Sequence, residues 1–413
     1  MSEPFFSVVI PTRGRPAYLR DAVGSALLQS MTDLEVVVSD NHNDALTRSV
    51  VEPFESDGRL RYFRTDRLLS MPDHWEFATS KARGKYVLVL PDRKVLVQGA
   101  LKHLQEVIGG GAERFAVVSF AVAMFDEERG RMGFAHQRGR SQSFTSAALI
   151  ENFLTKNYYL KESHDRYFPK TMNSVYLRSF GDTVRGRFGG YFNLPGVMTP
   201  DYSSMMVNLA LNNETYYVAR RCMLTQGEKV SNGRLFSLGD FKAYMDSLGL
   251  TDPLSDLPGR TMSSYNTIVN DFVRVRDLVG GNLRGLKLHL PNFFLTNLLD
   301  LMNKEHALGS DSPVVLECKR QFAADIDRLP EGDKEVVLKA LEGAPKRFQI
   351  GQRNAISLET LQLHIRDWLC VRLEKRRPLG TRLGLFFPGA MSAAGFAAPQ
   401  HAEPTAPETP AAS

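Results

Sequence analysis

Five candidate ligand-binding residues stand directly after short apolar runs that are typical of buried strands. They are Pro11, Thr12, Asp40, Asn41 and Asp92. In open parallel sheets a ligand binds in the crevice beyond the carboxyl ends of the strands. Carboxylate, hydroxyl and amide groups at that edge can form directional hydrogen bonds with a ligand. We therefore expect several strands to point at one ligand site.

The elements that must position these residues occupy 5–121. Short β-branched runs alternate there with longer stretches at helical spacing, which predicts an α/β fold with a mostly parallel sheet flanked by helices. Strands are predicted at 7–10, 34–39, 60–63, 86–90 and 115–121, and helices at 16–29 and 72–82. The run at 86–90 is apolar throughout, as expected of a central strand that is buried on both faces.

The rest of the chain has weaker patterns. A Gly- and Arg-rich stretch at 127–143 predicts a mobile loop. Helices are predicted at 145–159 and 202–211, a strand at 216–224, and a mainly helical region from 239 to 390 that includes 334–341 and 357–373. The Ala- and Pro-rich end at 391–413 has too little apolar surface to offset the entropy of ordering, so a disordered tail is predicted there.

Composition limits the class of protein. The chain has 413 residues, of which 43% are hydrophobic and 23% charged, and its net charge is +5. These values are typical of soluble globular proteins and exclude collagen-like, coiled-coil and wholly disordered chains. The length favours two or three domains. The small positive charge would suit an anionic ligand but is not a nucleic-acid-binding pattern, so no nucleic-acid partner is expected.

Cysteine usage and hydropathy indicate a cytoplasmic protein. Cys222, Cys318 and Cys370 are odd in number and far apart, which predicts neither a disulfide framework nor a zinc knuckle. The N-terminus lacks a basic segment followed by a long apolar one, and no apolar run approaches the ~20 residues that a membrane helix needs. We therefore expect no export or membrane-spanning segment.

Three segments together resemble the N-terminal part of family 2 glycosyltransferases, which have the GT-A fold. They are SVVIPTRGRPAYL at 7–19, LEVVVSDN at 34–41 and ARGKYVLVLPD at 82–92. The resemblance implies transfer of a sugar from a nucleotide-sugar donor, expected to be a UDP-sugar, to an acceptor hydroxyl with inversion at the anomeric carbon. It also implies a transferase domain at 1–238, with a nucleotide-binding half at 1–121 and an acceptor half at 122–238. The resemblance does not extend to the region from Gly239 onward.

The resemblance assigns roles to residues at the strand ends. Asp40 matches the position whose carboxylate accepts a hydrogen bond from the uracil ring, and Asn41 follows it. Pro11 and Thr12 match the end of the first strand, where the nucleoside packs, and Arg13 could approach a phosphate. The alternative for Asp40 and Asn41 is a turn that ends the strand and caps the next helix.

Asp73 is a secondary candidate for donor binding. It lies in LSMPDHW at 69–75, which resembles a family segment that precedes the central strand. A role for Ser70 or Asp73 in capping the following helix is the alternative.

The metal-binding motif of the family is degenerate in this chain. The family holds Mn²⁺ or Mg²⁺ with an Asp-x-Asp motif after the central strand, whereas here Asp92, Arg93 and Lys94 follow it. One carboxylate beside two cations would coordinate a hard cation poorly, which argues against a metal at Asp92. Arg93 and Lys94 could instead neutralise the diphosphate in a metal-independent transferase. The alternative is a catalytically silent scaffold that only binds nucleotide or glycan.

Asp201 is the candidate general base, because the family places an acidic residue before a helix in the second half of the domain. Its alternative is a helix cap without chemistry.

A basic and apolar strip near the C-terminus could contact a membrane. It comprises Arg372, Lys375, Arg376, Arg377, Arg382, Leu383, Leu385, Phe386 and Phe387. Such a strip could press against the anionic inner face of a membrane, where lipid-linked acceptors reside. The alternative is a solvated basic turn. A glycan or lipid-linked acceptor, and a role in polysaccharide assembly, are implied only by the resemblance, and the sequence does not indicate an oligomeric state.

Overall fold

The computed structural model describes residues 3–42, 45–126, 131–133, 139–155, 167–226, 242–250 and 252–342. Three predictions lie outside these residues, namely the helix at 357–373, the tail at 391–413 and the basic strip at 372–387. The boundary predicted between 238 and 239 also falls outside them.

The described strands form a single mixed sheet. In chain order they are β1 (Phe6–Thr12), β2 (Leu34–Asp40), β3 (Leu60–Arg64), β4 (Tyr86–Val89), β5 (Lys94–Leu96), β6 (Val117–Asp126), β7 (Arg131–Gly133), β8 (Gln142–Thr145), β9 (Ser174–Leu177) and β10 (Glu214–Thr225). Their order across the sheet is β3-β2-β1-β4-β9-β6-β10-β5, with β7 beside β6 and β8 beside β10.

The first half of the sheet is parallel, as predicted. β1 pairs with β2 and β4, and β2 pairs with β3, so four strand ends meet at one edge. The register places Thr12 beside Asp40, and Asp40 beside Arg64. Every residue of β1 and β2 is buried, which explains their nearly continuous apolar sequences.

The second half of the sheet is not mostly parallel. β9 runs antiparallel to both β4 and β6, and β5 runs antiparallel to β10, whereas β6 and β10 are parallel. Neither β5 nor β9 was predicted, because three or four residues are too few to show a two-residue period. The predicted loop at 127–143 includes β7 and the start of β8, so that prediction was wrong for these residues.

Helices pack on both faces of the sheet, and a further group of helices follows the last strand in the chain. They are α1 (Pro16–Leu27), α2 (Ala45–Ser49), α3 (Met71–Thr79), α4 (Ala100–Gly109), α5 (Ser146–Thr155), α6 (Arg178–Phe188), α7 (Pro200–Leu211), α8 (Lys242–Leu248), α9 (Ser264–Leu278), α10 (Leu290–Leu308), α11 (Pro313–Asp327) and α12 (Glu331–Glu342). The described part of the C-terminal region is therefore helical, as predicted. None of the described helices is both long and apolar enough to cross a bilayer.

The C-terminal helices share a hydrophobic core with the sheet. One cluster of buried side chains extends from Val9 and Trp75 to Phe272, Phe294 and Val315. A second cluster lies on the opposite face, against α1 and α4. Since burial of apolar surface is the main stabilising contribution to folding, the helices after 239 are tied to the sheet by packing.

Candidate functional site

The residues predicted to bind the nucleoside lie where β1 and β2 end. The Tyr62 hydroxyl donates a hydrogen bond of 2.8 Å to Oδ2 of Asp40, and the backbone N–H of Thr65 donates to the Asp40 carbonyl at 3.0 Å. Asp40 is fully buried, and Pro11 and Thr12 are buried beside it. The structure thus brings together three of the predicted residues and adds Tyr62, whose hydroxyl orients the Asp40 carboxylate.

The predicted residue Asn41 is engaged with backbone rather than aimed at the strand-end crevice. Its Nδ2 donates to the Leu69 carbonyl and its Oδ1 accepts from the Leu69 N–H, both at 2.9 Å. This reciprocal pair fixes the segment between β3 and α3. A contact between Asn41 and the donor stays a prediction.

Asp92 connects the ends of β1 and β4. Its Oδ2 accepts a hydrogen bond of 2.9 Å from the Thr12 hydroxyl and lies 3.2 Å from Nε of Arg15. Burial raises the pKa of Asp92, whereas Arg15, the Thr12 hydroxyl, the Arg13 backbone and Arg93 oppose that rise. The carboxylate therefore holds two strand ends together through contacts that its position in the motif did not reveal.

These contacts do not fit a divalent cation at Asp92. Mn²⁺ and Mg²⁺ need several oxygen ligands, and in this chain Asp92 is compensated by a guanidinium and a hydroxyl. Within the described residues, moreover, no group of three His, Cys, Asp or Glu side chains is arranged to hold a metal ion.

Lys94, at the start of β5, is a buried cation. Its side chain is 5% exposed, and its Nζ donates a hydrogen bond of 3.1 Å to the Met172 carbonyl. Burial, with the charges of Arg93 and Lys170 adding to it and that of Asp201 opposing it, lowers the pKa of Lys94 to about 7. A positive charge is costly to bury without a full set of partners, which favours the neutral amine at this position.

The other predicted cation of the motif, Arg93, lies at the rim of the sheet. Its Nη1 is 3.5 Å from the Gln226 carbonyl, and its own carbonyl accepts from the Gln226 N–H at 3.0 Å. The side chain is half-buried. Arg93 is close enough to Lys94 and Asp92 to affect the pKa of each.

Asp201 lies in the first turn of α7 and is 7% exposed. The N-cap position of this helix is Thr199, but the Asp201 carboxylate accepts from backbone N–H groups of the first turn, which agrees with the alternative of a capping role. Burial raises the pKa of Asp201, and Lys170, Lys94 and the N–H groups of Asp201 and Tyr202 oppose that rise. A carboxylate with a raised pKa is a stronger base, as proton abstraction from a hydroxyl requires.

Lys170 is a site residue that the sequence did not indicate. It lies close enough to Asp201 and Lys94 to shift both of their pKa values, and its Nζ lies 5.2 Å from the centre of the Tyr202 ring. The residues around Lys170 form no recognisable sequence motif. Lys170 directly precedes a short turn at Thr171–Asn173. Only the packing of that turn against β4 and α7 brings it to the site.

Asp73 has the local contacts of a helix start. Its Oδ2 accepts from the Ser70 hydroxyl at 2.7 Å, Ser70 caps α3, and its Oδ1 accepts from Asn193 at 3.1 Å. These contacts agree with the capping alternative.

Arg13 is exposed at the end of β1. It faces His74, whose pKa is lowered to about 4 by burial, with the Arg13 charge contributing.

The N-terminal part of the chain is similar to known proteins. Residues 7–179 match the model of the family described as glycosyl transferase family 2. A curated relative from Campylobacter jejuni, GalNAc(5)-diNAcBac-PP-undecaprenol beta-1,3-glucosyltransferase, is 33% identical over 110 residues, which cover 26% of this chain and 36% of the relative. The match thus spans about a third of the length of that relative.

Similar solved structures include TarS 1-349 of S. aureus. That structure is 14% identical and covers 83% of this chain and 92% of its own, with a TM-score of 0.43. Its complex with UDP-GlcNAc has the same identity and coverage and a TM-score of 0.46.

Proposed function

We propose that this protein transfers a sugar from a UDP-sugar to an acceptor hydroxyl with inversion at the anomeric carbon, a proposal supported by the match of residues 7–179 to the model of glycosyl transferase family 2. The observation that carries the proposal is the grouping of Asp201 with two buried or half-buried lysines, Lys94 and Lys170, beside the end of the central strand. Such a site offers a base for the acceptor and cations for the leaving group.

The donor is bound at the ends of β1 and β2. The Asp40 carboxylate, oriented by Tyr62, accepts a hydrogen bond from the uracil ring N–H. Pro11 and Thr12 line the adjacent strand end, and Arg13 approaches a phosphate. A buried carboxylate accepts such a bond more strongly than an exposed one, because little water competes for it.

The diphosphate is neutralised by side chains instead of a metal. Lys94 is the central cation, with Lys170 and Arg93 beside it. Fixed positive groups aimed at a developing negative charge stabilise the transition state without reorganising during the reaction. This assignment agrees with the poor fit of a divalent cation at Asp92.

Asp201 acts as the general base. Its carboxylate takes the proton of the acceptor hydroxyl while that oxygen attacks the anomeric carbon. The bond from this carbon to the diphosphate oxygen breaks, and the electron pair leaves with the UDP. Attack from the face opposite the leaving group produces inversion.

The acceptor is a glycan or a lipid-linked glycan. The curated relative is named for an undecaprenol-linked acceptor, which makes this class the first to test. A cytoplasmic enzyme at the inner face of a membrane would reach such an acceptor, so this location is part of the proposal.

The proposal is tested by calorimetric titration of UDP-sugars with manganese and, separately, with a chelator. We expect equal donor binding in both conditions and binding weakened at least tenfold in Lys94→Met. Lys102→Ala, which removes an exposed lysine on α4, is the matched control and should bind as the wild type does. Binding that requires manganese would contradict the metal-free site.

The silent scaffold is the second candidate, because the Asp92 carboxylate contacts Thr12 and Arg15 of the protein itself. Donor binding without any release of UDP over long incubation would favour it.

A further inference from the structure

The loop that leads to Asp201 is hydrogen-bonded to helices of the C-terminal region. It runs from Leu194 to Thr199 and enters α7, whose first turn contains Asp201. The Asp271 carboxylate on α9 accepts from the backbone N–H of Met198 at 2.7 Å and from that of Thr199 at 2.8 Å. It also accepts from the Thr199 hydroxyl.

Two further side chains of the C-terminal region hold the same loop. Nδ2 of Asn270 donates to the Gly196 carbonyl at 2.8 Å, and the Tyr244 hydroxyl of α8 donates to the Met198 carbonyl. Four backbone polar groups of this short loop are therefore bonded to α8 and α9. Few alternative conformations of the loop would preserve all of these bonds.

The Thr199 hydroxyl is diverted from its usual role. A threonine at the N-cap normally accepts a hydrogen bond from the backbone of its own helix. Here the Thr199 side chain makes no capping bond and donates to Asp271 instead. The start of α7 is thus fixed by a neighbouring helix rather than by local sequence.

Asp271 is also costly to bury. It is fully buried, and burial raises its pKa to about 7 against the opposing hydrogen bonds from Thr199 and Met198. A buried carboxylate of this kind is weak support for stability in itself. Its bonds to Thr199, which lies two residues before Asp201 on the loop that leads to the base, indicate a role in the site.

We infer that Asp271 is a positioning residue for the transfer reaction, through which the C-terminal helical region fixes the entry of α7 and so the place of the Asp201 carboxylate. The inference rests on the proposed function. It gives the region after 239 a role in catalysis that the family match, which ends at 179, does not cover. A small displacement of a catalytic group is enough to slow a reaction strongly.

The test compares two asparagine variants. In Asp271→Asn the amide group must face one of the two N–H donors, so one bond becomes a donor facing a donor. Asp325→Asn is the matched control, because Asp325 is equally buried in the same helical region and accepts from the N–H and hydroxyl of Thr261, at 2.8 and 2.6 Å. Gln321 and Arg328 occupy its other oxygen, so its amide must also face a donor.

The readouts are UDP release from a UDP-sugar, donor KM, and thermal unfolding. We expect both variants to lower Tm, but only Asp271→Asn to lower kcat, by tenfold or more, with donor KM changed less than twofold. Thr199→Val keeps the side-chain shape and removes only the hydroxyl, so it tests the same contact if Asp271→Asn fails to fold. It should lower kcat in the same direction by a smaller factor.

Hydrogen exchange gives a readout that does not depend on turnover. The amides of Met198 and Thr199 should lose protection in Asp271→Asn and keep it in Asp325→Asn. Equal kcat in Asp271→Asn and wild type, or an equal loss in the two asparagine variants, would overturn the positioning role while leaving the transferase assignment intact. A wild-type protein that turns over no donor would refute the proposed function and this inference with it.

Discussion

If Lys94 binds the diphosphate as proposed, donor binding should weaken as pH rises from 6 to 8. The pKa of this lysine is lowered to about 7, so the ammonium form predominates below that pH and the neutral amine above it. If only the cationic form binds the donor, the apparent Kd is the intrinsic Kd divided by the cationic fraction. That fraction falls from about nine-tenths at pH 6 to about one-tenth at pH 8, so the Kd should rise roughly tenfold, equivalent to about 1.4 kcal/mol.

The assay is calorimetric titration of a UDP-sugar across this pH range. A UDP-sugar is preferred to UDP, because the terminal phosphate of UDP itself titrates near pH 6. Buffers of different ionisation enthalpy should reveal uptake of nearly one proton on binding at pH 8 and little uptake at pH 6. Three charged groups affect the pKa of Lys94, namely Arg93, Lys170 and Asp201. Arg93 stays protonated over this pH range. All three groups are present in the wild type and in the Lys94 variants, so they contribute to every titration.

Two variants isolate the lysine. Lys94→Arg carries a charge that does not titrate and should bind the donor with a flat pH profile. Lys94→Met should also give a flat profile, but with weak binding throughout. A wild-type Kd that is constant from pH 6 to 8, or a tenfold slope that persists in Lys94→Met, would refute the assignment of the diphosphate to this side chain.

Three further predictions follow from the site and the core. Asp201→Asn should lower the rate of transfer by about 10²- to 10⁴-fold, measured as UDP release, with donor Kd nearly unchanged, because only the base is lost; an equal loss of donor binding would contradict that role. Asp40→Asn should weaken UDP-sugar binding by about 1.5–3 kcal/mol, because it removes a charged hydrogen-bond acceptor, and Tyr62→Phe should weaken it by about 1 kcal/mol, because it removes only the bond that orients Asp40. Unchanged titrations for both variants would rule out uracil recognition at Asp40. Phe272→Ala should lower the free energy of unfolding, measured by urea titration, by about 3–5 kcal/mol, because Phe272 is fully buried where the C-terminal helices meet the sheet core. A loss below about 1 kcal/mol would indicate that the two regions are not packed as described.

The parallel half of the fold was predictable from the sequence. β1, β2 and β4 are buried along their whole length, so their sequences are apolar runs that end abruptly at polar residues. Those ends also identified Asp40 and Asp92, although not their partners. Tyr62 and Arg15 reach these carboxylates through strand pairing and a turn, and neither contact has a fixed sequence spacing.

The remaining site residues depend on tertiary packing. Lys170 has no motif around it, and Asp271 lies 72 residues after Thr199, the residue to which it bonds. β5 and β9 are too short to show a periodic pattern in the sequence. β5 begins at Lys94, however, so the direction of this strand sets the direction of the Lys94 side chain. Sequence reasoning placed Lys94 in a motif, whereas its burial became visible only once the neighbouring turn and helix were packed around it.

The most direct test of the account is the rate of UDP release from a panel of UDP-sugars by the full chain, with a lipid-linked glycan present to receive the sugar, measured in excess chelator and in manganese. A metal-free transferase predicts release of UDP from at least one donor at the same rate in both conditions, and a large loss in both Lys94→Met and Asp201→Asn. Release that occurs only with manganese, or that survives both substitutions, would contradict it.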